Sequence, residues 1–307
     1  MTKVFIDGSA GTTGLRIVDR LSTREDLELL ILPDELRKDA SARADALSTA
    51  DIAFLCLPDD AAREAVQLAQ GMPVKIIDTS TAHRTDPQWA YGMPELTGKR
   101  SQIQTSNRIA NPGCHASGFV ALIAPLVEQG ILPADTKLSC FSLTGYSGGG
   151  KKMIAEYESA DRNPLLNAPR QYALTQQHKH LKEMTALCSL KTPPIFCPIV
   201  ADFYSGMEVT VPLFAGDIRG NINDIADIYK SYYADGLIHF SDQTDPDGML
   251  SAAAYSGRDD MVLTATGNAD RILLVARFDN LGKGASGAAI QNMNILLNID
   301  QATGLNV

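Results

Sequence analysis

Cys114 lies in Asn111-Pro112-Gly113-Cys114-His115-Ala116-Ser117-Gly118, a tight turn feeding an apolar run from Phe119 to Val127 whose spacing predicts a helix. A cysteine at that junction faces the unpaired N–H groups and the positive dipole of a helix start, and both favour thiolate over thiol. Thiolate is the nucleophilic form, so the placement suits an acyl group held on sulfur. The other reading of such a residue is a small core cysteine. A second constellation opens the chain. Gly8-Ser9-Ala10-Gly11-Thr12-Thr13-Gly14 follows a strand and begins a helix, so its amides can approach a pyrophosphate. The spacing differs from the commoner G-x-G-x-x-G, and the strand–turn–helix context carries the expectation of a dinucleotide. Together the two suggest an enzyme that passes hydride to a sulfur-bound acyl group.

A base is also available. In His178-Lys179-His180 with Glu183, His180 and Glu183 are three apart and share a face of a helix, where the carboxylate can orient the imidazole. No third ligand accompanies the two histidines, so no metal is expected. Gly145-Tyr146-Ser147-Gly148-Gly149-Gly150-Lys151-Lys152 nearly spells a phosphate loop, but Lys152 stands where serine or threonine would ligate magnesium. That loop is expected either to line an anionic substrate or to be flexible surface. After the second strand come Asp34 and Glu35, suited to ribose hydroxyls, then Arg37 and Lys38, suited to an extra phosphate. NAD and NADP both stay open at this level.

The elements that must position these groups follow from the apolar pattern. Lys3 to Ile6, Leu27 to Leu32, Asp51 to Leu57 and Val74 to Ile77 are strands without alternation, separated by helices. That rhythm predicts a parallel sheet covered on both faces. After Cys114 it changes. A long helix ends near Gly130, Lys137 to Thr144 alternates, and Lys151 to Met184 is polar and helix-prone. Phe196 to Val200, Met207 to Phe214 and Arg271 to Phe278 predict a mixed or antiparallel sheet, with helices at Asn223 to Tyr233 and Gly284 to Leu297. The fold class expected is α/β: an N-terminal Rossmann-like parallel-sheet domain and an α+β domain with a mixed sheet.

With 307 residues, the chain exceeds what one compact core usually supports, so two domains are expected. A net charge of -9 argues against nucleic acid or an anionic membrane as partner. Five cysteines, an odd count without paired spacing, fit a reducing cytoplasm better than a disulfide framework. Met1 to Ile6 lacks the order of a signal peptide, and no apolar run approaches the roughly 18 residues of a membrane span. A cytoplasmic protein acting on a small molecule is expected.

The motifs together resemble the N-acetyl-gamma-glutamyl-phosphate reductases of arginine biosynthesis, in their shorter form. The resemblance runs end to end. It rests on the Gly8–Gly14 turn, Asp78-Thr79-Ser80-Thr81-Ala82-His83-Arg84, Tyr91-Gly92-Met93-Pro94-Glu95-Leu96 and Asn111-Pro112-Gly113-Cys114. Phe203-Tyr204-Ser205-Gly206-Met207 and Asp279-Asn280-Leu281-Gly282-Lys283-Gly284-Ala285-Ser286-Gly287 complete it. It implies NADPH-dependent reduction of N-acetyl-L-glutamyl 5-phosphate to N-acetyl-L-glutamate 5-semialdehyde, with release of phosphate. It implies catalysis by Cys114 and by His180, which takes the place of the second histidine in the family's His-x-His-x-Pro-Glu stretch; Lys182 stands where the longer form has proline.

Cofactor contacts are implied for Gly8, Ser9, Gly11, Thr12, Thr13, Gly14, Ser80, Lys283, Gly284 and Gly287, while Arg84 and Arg108 are candidate clamps for phosphate or carboxylate. The domains implied are an NADP-binding domain over residues 1–113, a catalytic and oligomerisation domain over 114–283, and a C-terminal helix over 284–307 packing on the first domain. A homo-oligomer, dimer or tetramer, is expected. The alternatives are an aspartate-semialdehyde dehydrogenase-type enzyme, a non-catalytic NADP(H)-binding sensor on the same fold, and a cysteine hydrolase that uses no nicotinamide.

Overall fold

A computed structural model describes all 307 residues, Met1–Val307, as two compact units. Unit 1 comprises Met1–Pro112 and Ala285–Leu305. Its elements run β1 (Thr2–Asp7), α1 (Thr12–Leu21), β2 (Leu27–Leu30), α2 (Ala40–Thr49), β3 (Ile52–Leu55), α3 (Asp59–Leu68), β4 (Lys75–Asp78), β5 (Ala90–Tyr91), α4 (Lys99–Thr105) and β6 (Arg108–Ala110). The six strands order as β2-β1-β3-β4-β6-β5, and every pairing is parallel. The lack of alternation in the strands has its reason here, because both faces are covered. On one face Phe5, Ala53, Leu55 and Ile76 pack with Leu47, Ala62 and Ala65 of α2 and α3. On the other, Val4, Ile6, Phe54 and Ile77 pack with Ile17, Leu21, Ile290 and Met293. β1 has neighbours on both sides, β2 and β3, so the chain reverses direction across the sheet there. Ligands of such sheets bind at that switch point, beyond the carboxyl ends of the strands.

Unit 2 comprises Gly113–Gly284 with Asn306 and Val307. It contains α5 (Cys114–Glu128), β7 (Ser139–Gly145), α6 (Gly150–Glu158), β8 (Arg170–Gln171), α7 (His180–Leu187), β9 (Ile195–Ala201), β10 (Met207–Phe214), α8 (Ile222–Tyr232), β11 (Ile238–Phe240), β12 (Met261–Gly267) and β13 (Arg271–Phe278). Its strands form a mixed seven-stranded sheet, β11-β12-β13-β10-β7-β9-β8, parallel only at β11–β12 and β7–β9. α5 is apolar around its whole circumference and buried from His115 to Leu126. Pro125 within it cannot donate to the carbonyl of Ala121, and the Tyr233 hydroxyl donates to that oxygen instead, at 2.8 Å. The helix that starts at Cys114 is therefore held at its far end too.

α9 (Gly287–Leu296) belongs to unit 1, where Ile290, Met293 and Ile295 join the core beneath β1 and β3. The C-terminal helix thus returns to the parallel sheet. The helix-prone stretch from Lys151 to Met184 is not one helix. It breaks after Glu158, passes Pro164 and Pro169, and turns through positive φ at Ala173 and Gln176 before α7 begins.

Candidate active site

In unit 1 the glycine loop caps the carboxyl end of β1. Gly8 has φ +83°, and a Cβ there would stand 2.3 Å from the carbonyl oxygen of Cys56. A Cβ on Gly14 would stand 2.4 Å from the oxygen of Gly8. These two glycines are demanded by the turn itself. Gly11 is not, because its φ is -73° and a Cβ would meet only ordinary contact, 3.4 Å from the Gly8 oxygen. Gly11 is the N-cap of α1, offers it no side-chain cap, and is followed by a first turn without an acid. The hydroxyl of Thr12 is buried there without a hydrogen-bond partner. An uncapped helix start with an orphaned buried hydroxyl fits the pyrophosphate of a dinucleotide.

The other expected cofactor and substrate residues of unit 1 take different positions. Ser80, just past β4, donates from its hydroxyl to Asp78 at 2.8 Å and accepts the amide of Ala82. Asp78 also holds the ring of His83, whose Nδ1 lies 2.6 Å away and whose ring stacks on Trp89. Ser9 is nearly buried in the loop. Arg84 is likewise buried, and its guanidinium donates to the carbonyls of Asn111 and Thr79 at the carboxyl edge of the sheet. Arg108 begins β6 at the opposite edge and donates to the carbonyls of Val74 and Asn107. The pair expected to clamp one substrate is thereby split between the two ends of a parallel sheet.

In unit 2 Cys114 is the first residue of α5, half-buried, with Gly113 as extended N-cap and no acid in the first turn. Glu183 of α7, itself buried, accepts the amide hydrogen of Gly113 at 2.8 Å and so ties the cysteine turn to the histidine helix. Gly284 closes the other side, where a Cβ would come within 3.0 Å of the Cys114 Cβ. His180 opens α7 and is buried. Its ring lies 4.8 Å from that of His178 and 5.5 Å from that of His115, between centroids. Burial, then the charge of Lys179, lowers the pKa of His178. Burial, then His178, pushes that of His115 down to about 3. No group of three or more histidine, cysteine or acidic side chains is arranged to hold a metal. Elsewhere in the chain, burial pushes the Cys56 thiol up to about 12 and raises those of Cys140 and Cys188 as well.

Two residues beside His115 carry no local signal. Tyr172 donates or accepts at His115 Nε2 over 2.7 Å, and Ser142 pairs with His115 Nδ1 over 2.6 Å, although both are far from Cys114 in sequence. Asp279 binds the amides of Leu281, Gly282 and Gly257 and the hydroxyl of Ser205. Asn280 binds the amide of Gly206 and the hydroxyl of Ser147. The two thus staple four loops together. Lys283 is buried in the π-helical turn Gly282–Ser286, and Gly287 opens α9 in unit 1. In the Gly145–Lys152 loop the amides of Gly145, Tyr146 and Ser147 bond the carbonyls of Gly206, Phe203 and Tyr204, and Lys151 and Lys152 are exposed on α6.

Comparison with known proteins bears on this arrangement. Residues 3–106 match the model of the semialdehyde dehydrogenase NAD binding domain, and residues 114–280 that of the semialdehyde dehydrogenase dimerisation domain. The N-acetyl-gamma-glutamyl-phosphate reductase of Trichormus variabilis is 44% identical over 99% of both chains. That of Brucella suis is 45% identical over 96% of this chain and 98% of its own. The chain belongs to the N-acetyl-gamma-glutamyl-phosphate reductase family. It is an oxidoreductase of the semialdehyde dehydrogenase type and takes a nicotinamide cofactor. Among solved structures, aspartate semialdehyde dehydrogenase II of Vibrio cholerae, complexed with ASA, matches with a TM-score of 0.74 and 17% identity, over 97% of this chain and 98% of its own. The enzyme of Francisella tularensis gives 0.73 and 16%, over 97% and 100%. At such identity the likeness is one of fold.

Proposed function

We propose that this chain reduces N-acetyl-L-glutamyl 5-phosphate to N-acetyl-L-glutamate 5-semialdehyde with NADPH, releasing phosphate, as a step of L-arginine biosynthesis. The observation that carries the reading is Cys114 at the first position of α5, in a chain 44% identical end to end to a reductase of that name. The sulfur attacks the acyl carbon, the carbon–oxygen bond to phosphate breaks, and phosphate leaves with the electron pair. A thioester on Cys114 remains. When bound, the reduced nicotinamide supplies a hydride donor. His180 holds the proton that steadies the oxygen of the resulting thiohemiacetal and takes it back as the carbon–sulfur bond breaks, so aldehyde departs and thiolate returns.

Residues 1–113, with the C-terminal helix of 284–307, take the nucleotide-binding role in this reading, and residues 114–283 the catalytic and oligomerising one. Gly8, Ser9, Gly11, Thr12, Thr13 and Gly14 hold the pyrophosphate, with Ser80, Lys283, Gly284 and Gly287 toward the nicotinamide. The preference for NADPH rests on Arg37, half-exposed after β2, whose Nε is buried without a hydrogen-bond partner and whose Nη2 lies 3.2 Å from Asp34. An added phosphate would compete with that carboxylate. Arg84 is kept as the substrate-side arginine, bonded to the carbonyl of Asn111, whereas Arg108 serves as a strut between strand ends. All five cysteines are free, which supports a reducing cytoplasm. No helix is long and apolar enough to cross a membrane.

The test is trapping. Enzyme mixed with the acyl phosphate in the absence of NADPH yields an acyl adduct on the peptide containing Cys114, read by mass. Cys114→Ser lowers kcat at least about 1,000-fold, the scale of losing a covalent nucleophile. An adduct on any other residue overturns the reading.

A further inference from the structure

Beside Cys114 runs a hydrogen-bonded string that the reaction above does not use. His115 is neutral, so its ring carries a single N–H, on either Nδ1 or Nε2. Ser142 is fully buried, and His115 is the sole partner of its hydroxyl. If Nδ1–H donated to Ser142, the serine hydrogen would be buried without an acceptor, an arrangement that costs stability. The satisfied tautomer has Ser142 O–H donating to Nδ1 and His115 Nε2–H donating to Tyr172 Oη. The phenolic hydrogen of Tyr172 is then turned away from His115, the hydrogen-bond partner of its oxygen, and is available to the Cys114 side of the site. Burial, then the nearby charge of Cys114, raises the pKa of Tyr172, so it stays an O–H donor. Its ring packs edge-on against His178, 6.0 Å between centroids, which keeps the phenol on the histidine side of the site.

We infer that Tyr172 donates a hydrogen bond to the reacting oxygen of the acyl group held on Cys114, with His115 and Ser142 as the positioning residues that aim it. The inference rests on the Cys114 chemistry proposed above. Charge grows on that oxygen as the thiolate and then the hydride add, so a donor fixed beforehand acts on the transition state more than on bound substrate.

Steady-state kinetics of the full chain with the acyl phosphate and NADPH test it. Tyr172→Phe is expected to lower kcat about 100-fold, as removal of one such donor does elsewhere. The KM for the acyl phosphate should stay within about threefold, and Cys114 should be alkylated by iodoacetamide at the parental rate, two readouts that a general loosening of the site would move. Ser142→Ala lets the His115 tautomer reverse and draw the phenol hydrogen back to Nε2, and is expected to cost on the order of tenfold in kcat. A Tyr172→Phe enzyme within about threefold of the parental kcat overturns the inference. If that variant does not fold, an unchanged kcat in Ser142→Ala overturns it equally. In either case an inactive Cys114→Ser control leaves the thioester reading intact, whereas an active one sinks that reading and this inference with it.

Discussion

Burial pushes three titratable side chains near Cys114 toward their uncharged forms, His115 and His178 downward and Tyr172 upward. His115 is the extreme case, moved from 6.5 to about 3 with desolvation as the main cause. The sign of the stability effect follows. Between those two values the unfolded chain binds a proton that the folded chain refuses, so stability is complete above about 6.5 and falls as pH drops toward 3. The slope from this one residue is about 1.4 kcal/mol per pH unit inside that window. Replacing it with an uncharged polar residue removes the penalty. His115→Gln is expected to start less stable at neutral pH, having lost its bonds to Ser142 and Tyr172, and to lose stability more slowly on acidification. Urea midpoints at roughly pH 7, 6 and 5 measure both effects. Parallel pH dependence in the two proteins would show that His115 is not held neutral by its surroundings.

At the level of elements, the turn from β1 into α1 separates glycines that its backbone demands, Gly8 and Gly14, from one that it does not, Gly11. Gly14→Ala drives a methyl to 2.4 Å from the Gly8 oxygen and is expected to cost about 1–3 kcal/mol of stability. Gly11→Ala meets only ordinary contact and exchanges one N-cap for a poorer one, a loss of less than about 1 kcal/mol. Its methyl stands where the pyrophosphate would approach, so the KM for NADPH should rise about tenfold or more. Melting curves and NADPH titrations of the two variants check the contrast, and an unchanged KM in Gly11→Ala counts against nucleotide binding at this turn. Sequence periodicity made such elements legible wherever burial is simple. β10 and β13 coincide with the expected strands Met207 to Phe214 and Arg271 to Phe278; burial alternates along β10, whereas β13 alternates only as far as Leu274 and is buried throughout beyond it. β12 escaped because Thr264 and Thr266 dilute its apolar run, and the segment around Tyr172 because Pro164, Pro169 and two positive-φ residues break a stretch of helix-prone composition. Cys114 announced itself through its turn, and Glu183 through its spacing from His180, although its bond to the Gly113 amide did not. Ser142 and Tyr172 gave no signal, since their place depends on strand register and on the path of the chain before α7, which no local pattern encodes.

At the scale of the whole molecule, the mixed sheet leaves one face unaccounted for. Pairing registers put Phe141 opposite Thr210, Ser139 opposite Ile195, and Pro212 opposite Leu273, so Phe141, Ile195, Phe214 and Leu273 share a single face. The helices cover the other one, where Val209, Val211 and Leu274 are buried. Ile195 and Phe214 remain 62% and 68% exposed, and Phe141 and Leu273 are exposed as well, a cost that a second copy of the chain would remove. The segment belongs to residues matched by a dimerisation-domain model, and a stable interface of roughly 1,200–2,000 Å² is within reach of a seven-stranded face. The prediction at this scale is that a second copy of the chain covers this face. Placing Asp at both Phe141 and Leu273 buries charge in that contact without touching the helix-covered core. The double variant should keep the parental circular dichroism and pass from a multiple of the chain mass to the single-chain 33.0 kDa in light scattering. A parent that already runs at 33.0 kDa, or a variant that retains the parental mass, would place the contact elsewhere or remove it.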